Sequence, residues 1–409
     1  MMQNNRHSTI ARAWQQSCRW GRVLHRQTTG LLAAVVVATL FFTLACEREP
    51  ELHLHNYPEL IIVPPEINLD LEAVWNYQIG YDVTYDWKAE WYYGWDGIDF
   101  DIFGNIGYTK PTTFNLRRYY TGNTPLAPHD QVIANTITGY TFRGEYNWGF
   151  WDLLVWNDVK TLDGVQSLNF DEVTTLDYVT AYTNQTMVPS RYSPRFTRAF
   201  YEPEALFSAY NQCIEVREDL EGFEYDAERN VWVKRLDMVL QPVTYIYLPE
   251  IILHNNHNKV VGVDGSGNLS GMSRTMNINS GVAGPDAIAV NYNVRFKTNC
   301  DMDGESVDII GGRLMTFGIC NINPRSITRQ EELGDQQQHY IDVTMQFNNG
   351  LDSTFVFNVT DQVRQKYKGG VLKIELDMDT IAVPSRSGGS AFEAVVQDYE
   401  DGGTWEFPM

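Results

Sequence analysis

The chain has 409 residues, of which 31 are basic and 52 acidic, so its formal net charge is −21 at pH 7. Such acidity excludes nucleic acid and anionic lipid as natural partners, because both attract basic proteins. It favours a soluble surface protein that resists non-specific association.

The N-terminus has the layout of an export signal. Five arginines precede an uncharged, mostly apolar run from Gly30 to Ala45, as in secretory signal peptides. The run ends in Thr43-Leu44-Ala45-Cys46, and a small residue before cysteine is what a lipoprotein signal peptidase cleaves after. We predict that residues 1–45 are a signal peptide and that Cys46 is lipidated, with palmitate among its acyl chains. An uncleaved anchor helix is the alternative, although the run is shorter than the ~18 residues that usually span a bilayer.

The remaining 364 residues exceed what one hydrophobic core usually serves, so two domains are expected. Residues 46–66 would form a lipidated N-terminus and a stalk stiffened by prolines. Residues 67–217 and 230–409 would form an N-terminal and a C-terminal β-sandwich domain. The acidic stretch 218–229 would connect them.

Strict alternation of apolar and polar residues predicts two early strands. From Ile67 to Trp75, Ile67, Leu69 and Leu71 would lie on one apolar face, and Val83–Trp91 repeats the pattern. Strands are further predicted over Tyr140–Phe142, Trp151–Trp156, Val231–Val233, Val243–Leu248, Ala287–Phe296, Arg313–Ile319, Tyr340–Phe347, Ser353–Val359, Val371–Leu376 and Ala391–Val396.

Few segments favour helix. Pro203–Gln212 is one candidate, and Thr360–Tyr367 is another, with Thr360 as its expected cap. The predicted fold class is therefore all-β. Many short strands without a regular repeat favour sandwiches over propellers.

Beyond Cys46, the exported chain would contain three cysteines, Cys213, Cys300 and Cys320. An odd number does not indicate a disulfide framework. A Cys300–Cys320 bridge could form in an oxidising compartment, and buried free thiols are the alternative.

Six short motifs are distributed along residues 46–409. They are Cys46-Glu47-Arg48-Glu49-Pro50, Gly144–Asn157, Gly267–Met272, Thr316-Phe317-Gly318, Phe357–Val363 and Phe392–Phe407. In these motifs the chain resembles the fimbrillin-like superfamily, and within it the lipoproteins related to the fimbrillin-associated anchor and minor subunits. None of the motifs is a catalytic signature.

The resemblance implies two tandem transthyretin-like β-sandwich domains. It also implies a fimbrial (pilus) subunit of the anchor, minor or tip kind, held at the outer membrane through the lipid on Cys46 and exposed at the cell surface. Its partners would be other fimbrial subunits, joined by β-strand exchange, in which an extended segment completes an open sheet of its neighbour. Adhesion to a host protein or a glycan is the expected role.

Shaft subunits of the family are matured by cleavage after an arginine in the first domain. Here Arg48 lies two residues beyond the lipid site, and the next arginines are Arg117 and Arg118. Cleavage there would discard the anchor and the first strands. We therefore expect an uncleaved, permanently tethered subunit.

An aromatic cluster suggests a second function. Seven tryptophans lie between positions 75 and 156, and Trp95 is followed by the turn signal Asp96-Gly97. Trp95 could stack on a sugar ring, with Asp99 and Asp101 as polar partners, whereas packing in the core is the usual role of such side chains. The alternative function is accordingly a surface glycan-binding lipoprotein beside an outer-membrane nutrient transporter.

Metal sites and catalytic sites find little support, and no cofactor is predicted. His53 with His55, or His254 with His257, supplies two zinc ligands where three or four are needed. The acidic run 301–305 lacks the later ligands of a calcium loop. No nucleophile elbow, phosphate loop or zinc-protease motif occurs, so we predict that the chain is not an enzyme; a hydrolase with two carboxylates converging in a cleft is the third hypothesis.

Overall fold

The computed structural model describes residues 63–73, 85–125, 131–159, 167–172, 179–186, 198–327, 337–385 and 394–396. Strand accounts for 58% of the structure and helix for 6%, which confirms the predicted all-β class. From Pro64 onward the described residues form one compact unit. The predicted signal peptide and Cys46 lie outside the described residues, as do His53 and His55.

An eight-stranded sheet contains the first five described strands of the chain and three later ones. Its strands are β1 (Glu66–Ala73), β2 (Thr113–Gly122), β3 (Gln131–Thr138), β4 (Thr141–Glu145), β5 (Gly149–Asn157), β9 (Phe207–Val216), β10 (Glu224–Asp226) and β11 (Val231–Pro242). The order is β3-β2-β5-β9-β11-β1-β4, and β10 pairs with β11. Strand β1 runs parallel to β11 and antiparallel to β4.

Two further sheets complete the described structure. The four-stranded one contains β6 (Leu168–Glu172), β7 (Val179–Thr183), β14 (Thr275–Asn277) and β15 (Val282–Ala283). The ten-stranded one contains β8 (Ala199–Tyr201), β12 (Tyr245–His254), β13 (Val260–Ser273), β16 (Ala287–Met302), β17 (Glu305–Gly312), β18 (Leu314–Thr316), β19 (Tyr340–Phe347), β20 (Asp352–Asn358), β21 (Gly370–Asp377) and β22 (Ala394–Val396). The described helices are α1 (Trp87–Glu90), α2 (Gly97–Phe103) and α3 (Thr360–Gln365).

Two hydrophobic cores meet at β12. Tyr247 and Ile251 on one face of this strand pack in the larger core, and Leu248 and Ile252 on the other face pack with residues of β1, β2 and β5. All of the strand except His254 is buried. A strand that is buried on both faces reads as a continuous apolar run.

The predicted alternation at Ile67 is confirmed in β1. Ile67 and Leu69 are completely buried, Leu71 and Ala73 nearly so, and the intervening side chains point away from the core. Trp75, at the end of the predicted strand, lies outside the described residues.

The predicted strand Val83–Trp91 is wrong over its described part. The Asp86 carboxylate accepts a hydrogen bond from the Lys88 amide at 3.2 Å and begins α1, in which Ala89 is exposed. The apolar residues of this segment are buried without a strand: Trp91 and Tyr93, in the irregular stretch after the helix, pack in the core.

Of the two predicted helices, one is confirmed. Residues 360–365 form α3, although its N-cap is Val359 and Thr360 makes no capping bond. The predicted helix Pro203–Gln212 is wrong, because β9 begins at Phe207 and pairs with β5 as far as Val216. Pairing with a distant strand overrides local helix propensity.

Residues 218–229 do not connect two separate sheets. They include β10, which forms a hairpin with β11, and β11 continues the sheet that contains β1 and β9 as far as Pro242. Strands also cross the expected boundary in the other direction, since β7 pairs with β14 and β8 with β16. Strand pairing therefore crosses the expected boundary in both directions, and the division into two β-sandwich domains stays a prediction.

No disulfide joins Cys300 to Cys320. Cys320 is buried and Cys300 half-buried, and burial raises the pKa of the Cys300 thiol. Cys213 is exposed at a bulge of β9, where its backbone has a φ of 57°. The two alternatives for Cys300 and Cys320 were a disulfide bridge and buried thiols, and the structure contains thiols.

Candidate functional site

Residues 85–103, between β1 and β2, form a segment that lies on the ten-stranded sheet; we call it the docked segment. The ring of Tyr93 covers Gly311 on β17, where a Cβ atom would stand 2.3 Å from Tyr93 Cδ2. The amides of Tyr92 and Tyr93 donate to one carboxylate oxygen of Glu250 on β12, at 3.0 and 3.3 Å. Glycine at 311 therefore makes room for the aromatic ring that holds the segment in place.

Glu250 is completely buried. Loss of solvation raises the pKa of its carboxyl to about 7, and the two amides, with Lys373 and Lys366 nearby, oppose that rise. The second carboxylate oxygen has no hydrogen-bonding partner in the described part of the chain. Glu250 thus anchors the docked segment, although its carboxyl loses the free energy of solvation when it is buried.

Asp99 is the second anchor of the docked segment. Although it lies in α2 at the surface, its side chain is 0% exposed. It accepts hydrogen bonds from the Tyr93 hydroxyl at 2.8 Å, the Arg295 guanidinium at 2.6 Å and the Lys297 ammonium at 2.5 Å. Buried charges in proteins require such compensation.

Asp96 begins α2 with a capping box. Its carboxylate accepts the amides of Ile98 and Asp99, and Asp99 in turn accepts the Asp96 amide at 2.8 Å. The Asp99 amide, followed by Arg295 and Lys297, holds the pKa of Asp96 well below its usual range. Two acids and two bases therefore fix the orientation of this short helix.

This orientation turns apolar side chains outward. Ile98, Phe100 and Ile102 are 55, 54 and 42% exposed. Beside them lies a cleft of about 510 Å³ with mostly apolar walls, lined by Phe100, Phe103, Thr109, Pro111, Val159 and Met315 among others. An exposed apolar patch next to a cleft is typical of an interaction surface.

The three residues of the predicted sugar site differ in their exposure to solvent. Trp95 is half-buried, its ring packs on Phe103 at 5.4 Å between centroids, and its indole N–H is buried without a partner in the described chain. Asp99 is buried, and both of its carboxylate oxygens accept hydrogen bonds within the protein. Asp101 is exposed on α2. Sugar contacts at Trp95, Asp99 and Asp101 stay a prediction, in which Asp99 would have to exchange bonds that it now makes within the protein.

The other candidate sites have ordinary structural roles. His254 lies 3.3 Å from Glu375, and His257 is in the turn that follows β12. Asp303 and Gly304 form the turn between β16 and β17. Within the described ranges, no group of three His, Cys, Asp or Glu side chains could hold a metal ion.

Sequence reasoning missed an exposed aromatic pair on the β10–β11 hairpin. Tyr225 and Trp232 stand opposite each other, with ring centroids 5.3 Å apart, and are 51% and 39% exposed. The Tyr225 hydroxyl donates to the Asn230 side chain at 2.6 Å. The signal available was an aromatic residue on each side of a turn, Tyr225 within the stretch interpreted as a connection and Trp232 just beyond it.

The entry of the chain into β1 is held by charges. Glu66, the first residue of the strand, accepts two hydrogen bonds from the Arg229 guanidinium, at 2.5 and 3.0 Å. Arg143 on β4 lies 3.7 Å from the same carboxylate. The β10–β11 turn is thereby joined to the point where the chain arrives from the predicted stalk. No helix among the described residues is both long and apolar enough to cross a bilayer.

No family model and no curated protein matches this chain. Among solved structures, the chain is similar to a candidate adhesin of Bacteroides ovatus, with 12% identity and a TM-score of 0.44 over 77% of this chain and 93% of that one. It is also similar to the fimbrial anchor protein Mfa2 of Porphyromonas gingivalis, with 10% identity and a TM-score of 0.36 over 76% and 91% of the two chains. The tip fimbrial protein Mfa3 of the same organism, with C-terminal truncation, gives 8% identity and a TM-score of 0.29 over 72% and 82%.

Proposed function

We propose that this protein is a lipid-anchored subunit of a cell-surface fimbria, an anchor or minor component that contributes to adhesion and joins its neighbours by strand exchange. The observation that carries the proposal is the position of β1. This strand follows the predicted stalk directly, yet it fills an interior place in its sheet, between β11 and β4.

Strand exchange requires an interior place that an extended segment can fill, with alternate side chains entering apolar pockets. In β1, Ile67, Leu69, Leu71 and Ala73 are such side chains. Because the chain supplies this strand itself, the place is closed to a neighbour. A subunit whose own N-terminal strand is retained would end the fimbria at the membrane.

Proteolytic removal of β1 is disfavoured by the positions of the next arginines. Arg117 and Arg118 lie inside β2, which pairs with β3 and β5 on its two sides. Arg118 is 7% exposed and lies near the rings of Phe142 and Tyr146. A protease needs an extended, accessible segment, so these arginines support an uncleaved subunit.

The apolar surface of α2 and its cleft would supply a second contact with a neighbouring subunit. Ile98 and Phe100 expose apolar area that a protein partner would cover. Asp99, held by Arg295 and Lys297, keeps that surface rigid before contact.

The test is to capture the protein from gently solubilised outer membranes through a tag near Met409 and to identify what co-purifies. Recovery of fimbrial subunits supports the proposal. A Cys46→Ser variant should release the same complex from the membrane, which separates anchoring from assembly. A transporter recovered without any fimbrial subunit contradicts the fimbrial role.

The aromatic pair of the β10–β11 hairpin favours glycan binding as the second candidate function. Tyr225 and Trp232 offer two exposed rings beside polar Asn230. Under that function, Trp232→Ala should abolish retention on immobilised polysaccharide, whereas Trp95→Ala tests the site predicted from the sequence. Fimbrial co-purification should be unchanged in both variants.

A further inference from the structure

Force has a defined path through this fold if the chain is tethered at its N-terminus. The chain enters the sheet at Glu66, and β1 runs from there to Ala73. Its partner β11 runs in the same direction, in register over eight residue pairs from Glu66↔Val233 to Ala73↔Leu240. The entry point therefore lies at one end of the pair, and the exit of β11 lies at the other.

The exit of β11 leads directly to the ten-stranded sheet. Strand β11 ends at Pro242, and β12 begins at Tyr245. Strand β12 is itself parallel to β21, in register over eight pairs from Tyr247↔Gly370 to His254↔Asp377. Tension between Glu66 and the far end of β21 thus acts on two parallel pairs, each pulled at opposite ends.

This geometry loads hydrogen bonds together. When parallel strands are pulled at opposite ends, all bonds between them resist sliding at once, whereas strands pulled at the same end separate one pair at a time. Antiparallel β4 adds five pairs to β1, from Glu66↔Glu145 to Asp70↔Thr141. Sliding β1 lengthwise would have to break both ladders and expose Ile67 and Leu69.

The charges at Glu66 close the entry of the strand. The bidentate pair with Arg229 joins the first residue of β1 to the turn before β11, and a bidentate guanidinium–carboxylate pair is directional. Fraying would begin at this end, because the tether pulls there.

We propose that β1 and β11, closed by the Glu66–Arg229 pair, form a mechanical clamp that lets the subunit bear tension between the membrane and the rest of the fimbria. The clamp rests on the proposed function only in taking the N-terminus as the tethered end. A clamp of this kind resists force more strongly in one pulling direction than in another. This difference can be measured on the isolated protein.

Single-molecule pulling of the exported chain, with one handle at position 46, tests the clamp. The second handle is placed either at Thr380, in the exposed turn after β21, or at Glu228, in the exposed β10–β11 turn beside Glu66. We expect the 46–380 pair to need a peak force about twofold or more above that of the 46–228 pair, because only the former shears β1. Equal peak forces in the two geometries would overturn the clamp.

Glu66→Gln should lower the peak force in the 46–380 geometry. Glu221→Gln is the matched control, since it likewise neutralises a carboxylate that pairs with an arginine, and its partner Arg217 lies outside β1 and β11. Urea unfolding of each variant shows whether it still folds. Equal peak forces for Glu66→Gln and the unsubstituted chain contradict the part given to Glu66. Co-purification of fimbrial subunits is measured separately, so the clamp can fail while the fimbrial role stands, and the reverse.

Discussion

Strand β1 and the docked segment are consecutive along the chain, yet they are held in opposite ways. Backbone ladders and buried apolar side chains hold β1, and its ion pairs with other described residues are at Glu66. The docked segment is held by carboxylates, Glu250 within the sheet and Asp99 within α2. The attachment of β1 should depend little on pH or salt, whereas the attachment of the docked segment depends on which of its groups are ionised. A fold can thus combine a permanent attachment with one that is sensitive to its surroundings.

The largest effect is expected in β1. Leu69→Ala should lower the free energy of unfolding by about 3 kcal/mol, because it leaves a cavity at a completely buried site. Urea denaturation measures the change. Val239→Ala on β11, where the side chain is 47% exposed, is the control and should change stability by less than about 0.5 kcal/mol. Equal losses of stability in the two variants would show that the buried side chains of β1 do not stabilise the core.

Asp99→Asn should cost about 2 kcal/mol, because Arg295 and Lys297 lose the charge that compensates them, although both bases keep some solvent. The loss should be local. Hydrogen exchange should quicken in residues 91–103 and stay unchanged in β1. Asp101→Asn, at an exposed position of the same helix, is the control. Uniformly faster exchange would argue against a separately held segment.

Glu250 should make stability fall as pH rises. The pKa of Glu250 in the folded protein is about 7, above its ordinary value of 4.5, so the folded state binds the proton more tightly. The stabilisation is complete below about pH 4.5 and is lost as pH rises through 7. Between pH 5 and 8 we expect a loss of about 2–3 kcal/mol relative to Glu250→Gln. Parallel stability profiles of the two proteins would contradict this.

Gly311→Ala tests how closely Tyr93 packs. The added Cβ would stand 2.3 Å from the ring, so the ring must move, at a cost of about 1–2 kcal/mol. The effect should be much smaller in a Tyr93→Ala background, since the two changes share one contact. Gly97→Ala, which meets nothing within 4 Å, is the control. If the stability losses of the two single variants simply add in the double variant, the cost of Gly311→Ala does not come from its contact with Tyr93.

Arg229→Gln should have the smallest effect at equilibrium. Arg229 is 42% exposed, and ion pairs that are this exposed to solvent contribute little to stability. The difference from the unsubstituted chain should vanish in 1 M salt, where charges are screened beyond about 3 Å. A loss that persists in high salt would indicate that Arg229 stabilises the turn by packing.

Local pattern predicted the strands that lie in regular ladders. Trp151–Trp156 and Tyr340–Phe347 are strands as expected, and Tyr340–Phe347 has the predicted bounds. The prediction from local pattern was wrong at Val83–Trp91. An alternating pattern indicates which side chains are buried, but it does not show whether a strand or another backbone conformation buries them. At 218–229 the polar, acidic composition predicted a connection, and the structure has the hairpin strand β10 there, because linkers and exposed hairpins share such a composition.

The sequence by itself determined the all-β class and the alternating face of β1, because both follow from the order of neighbouring residues. Tertiary structure alone decided that β1 lies between β11 and β4, that β12 serves two cores, and that Asp99 is buried. The partners in these contacts lie far away along the chain: Asp99 meets Arg295 and Lys297, and Tyr93 meets Gly311. No local pattern encodes such contacts, since they depend on which sheet surface remains to be covered after the strands have paired.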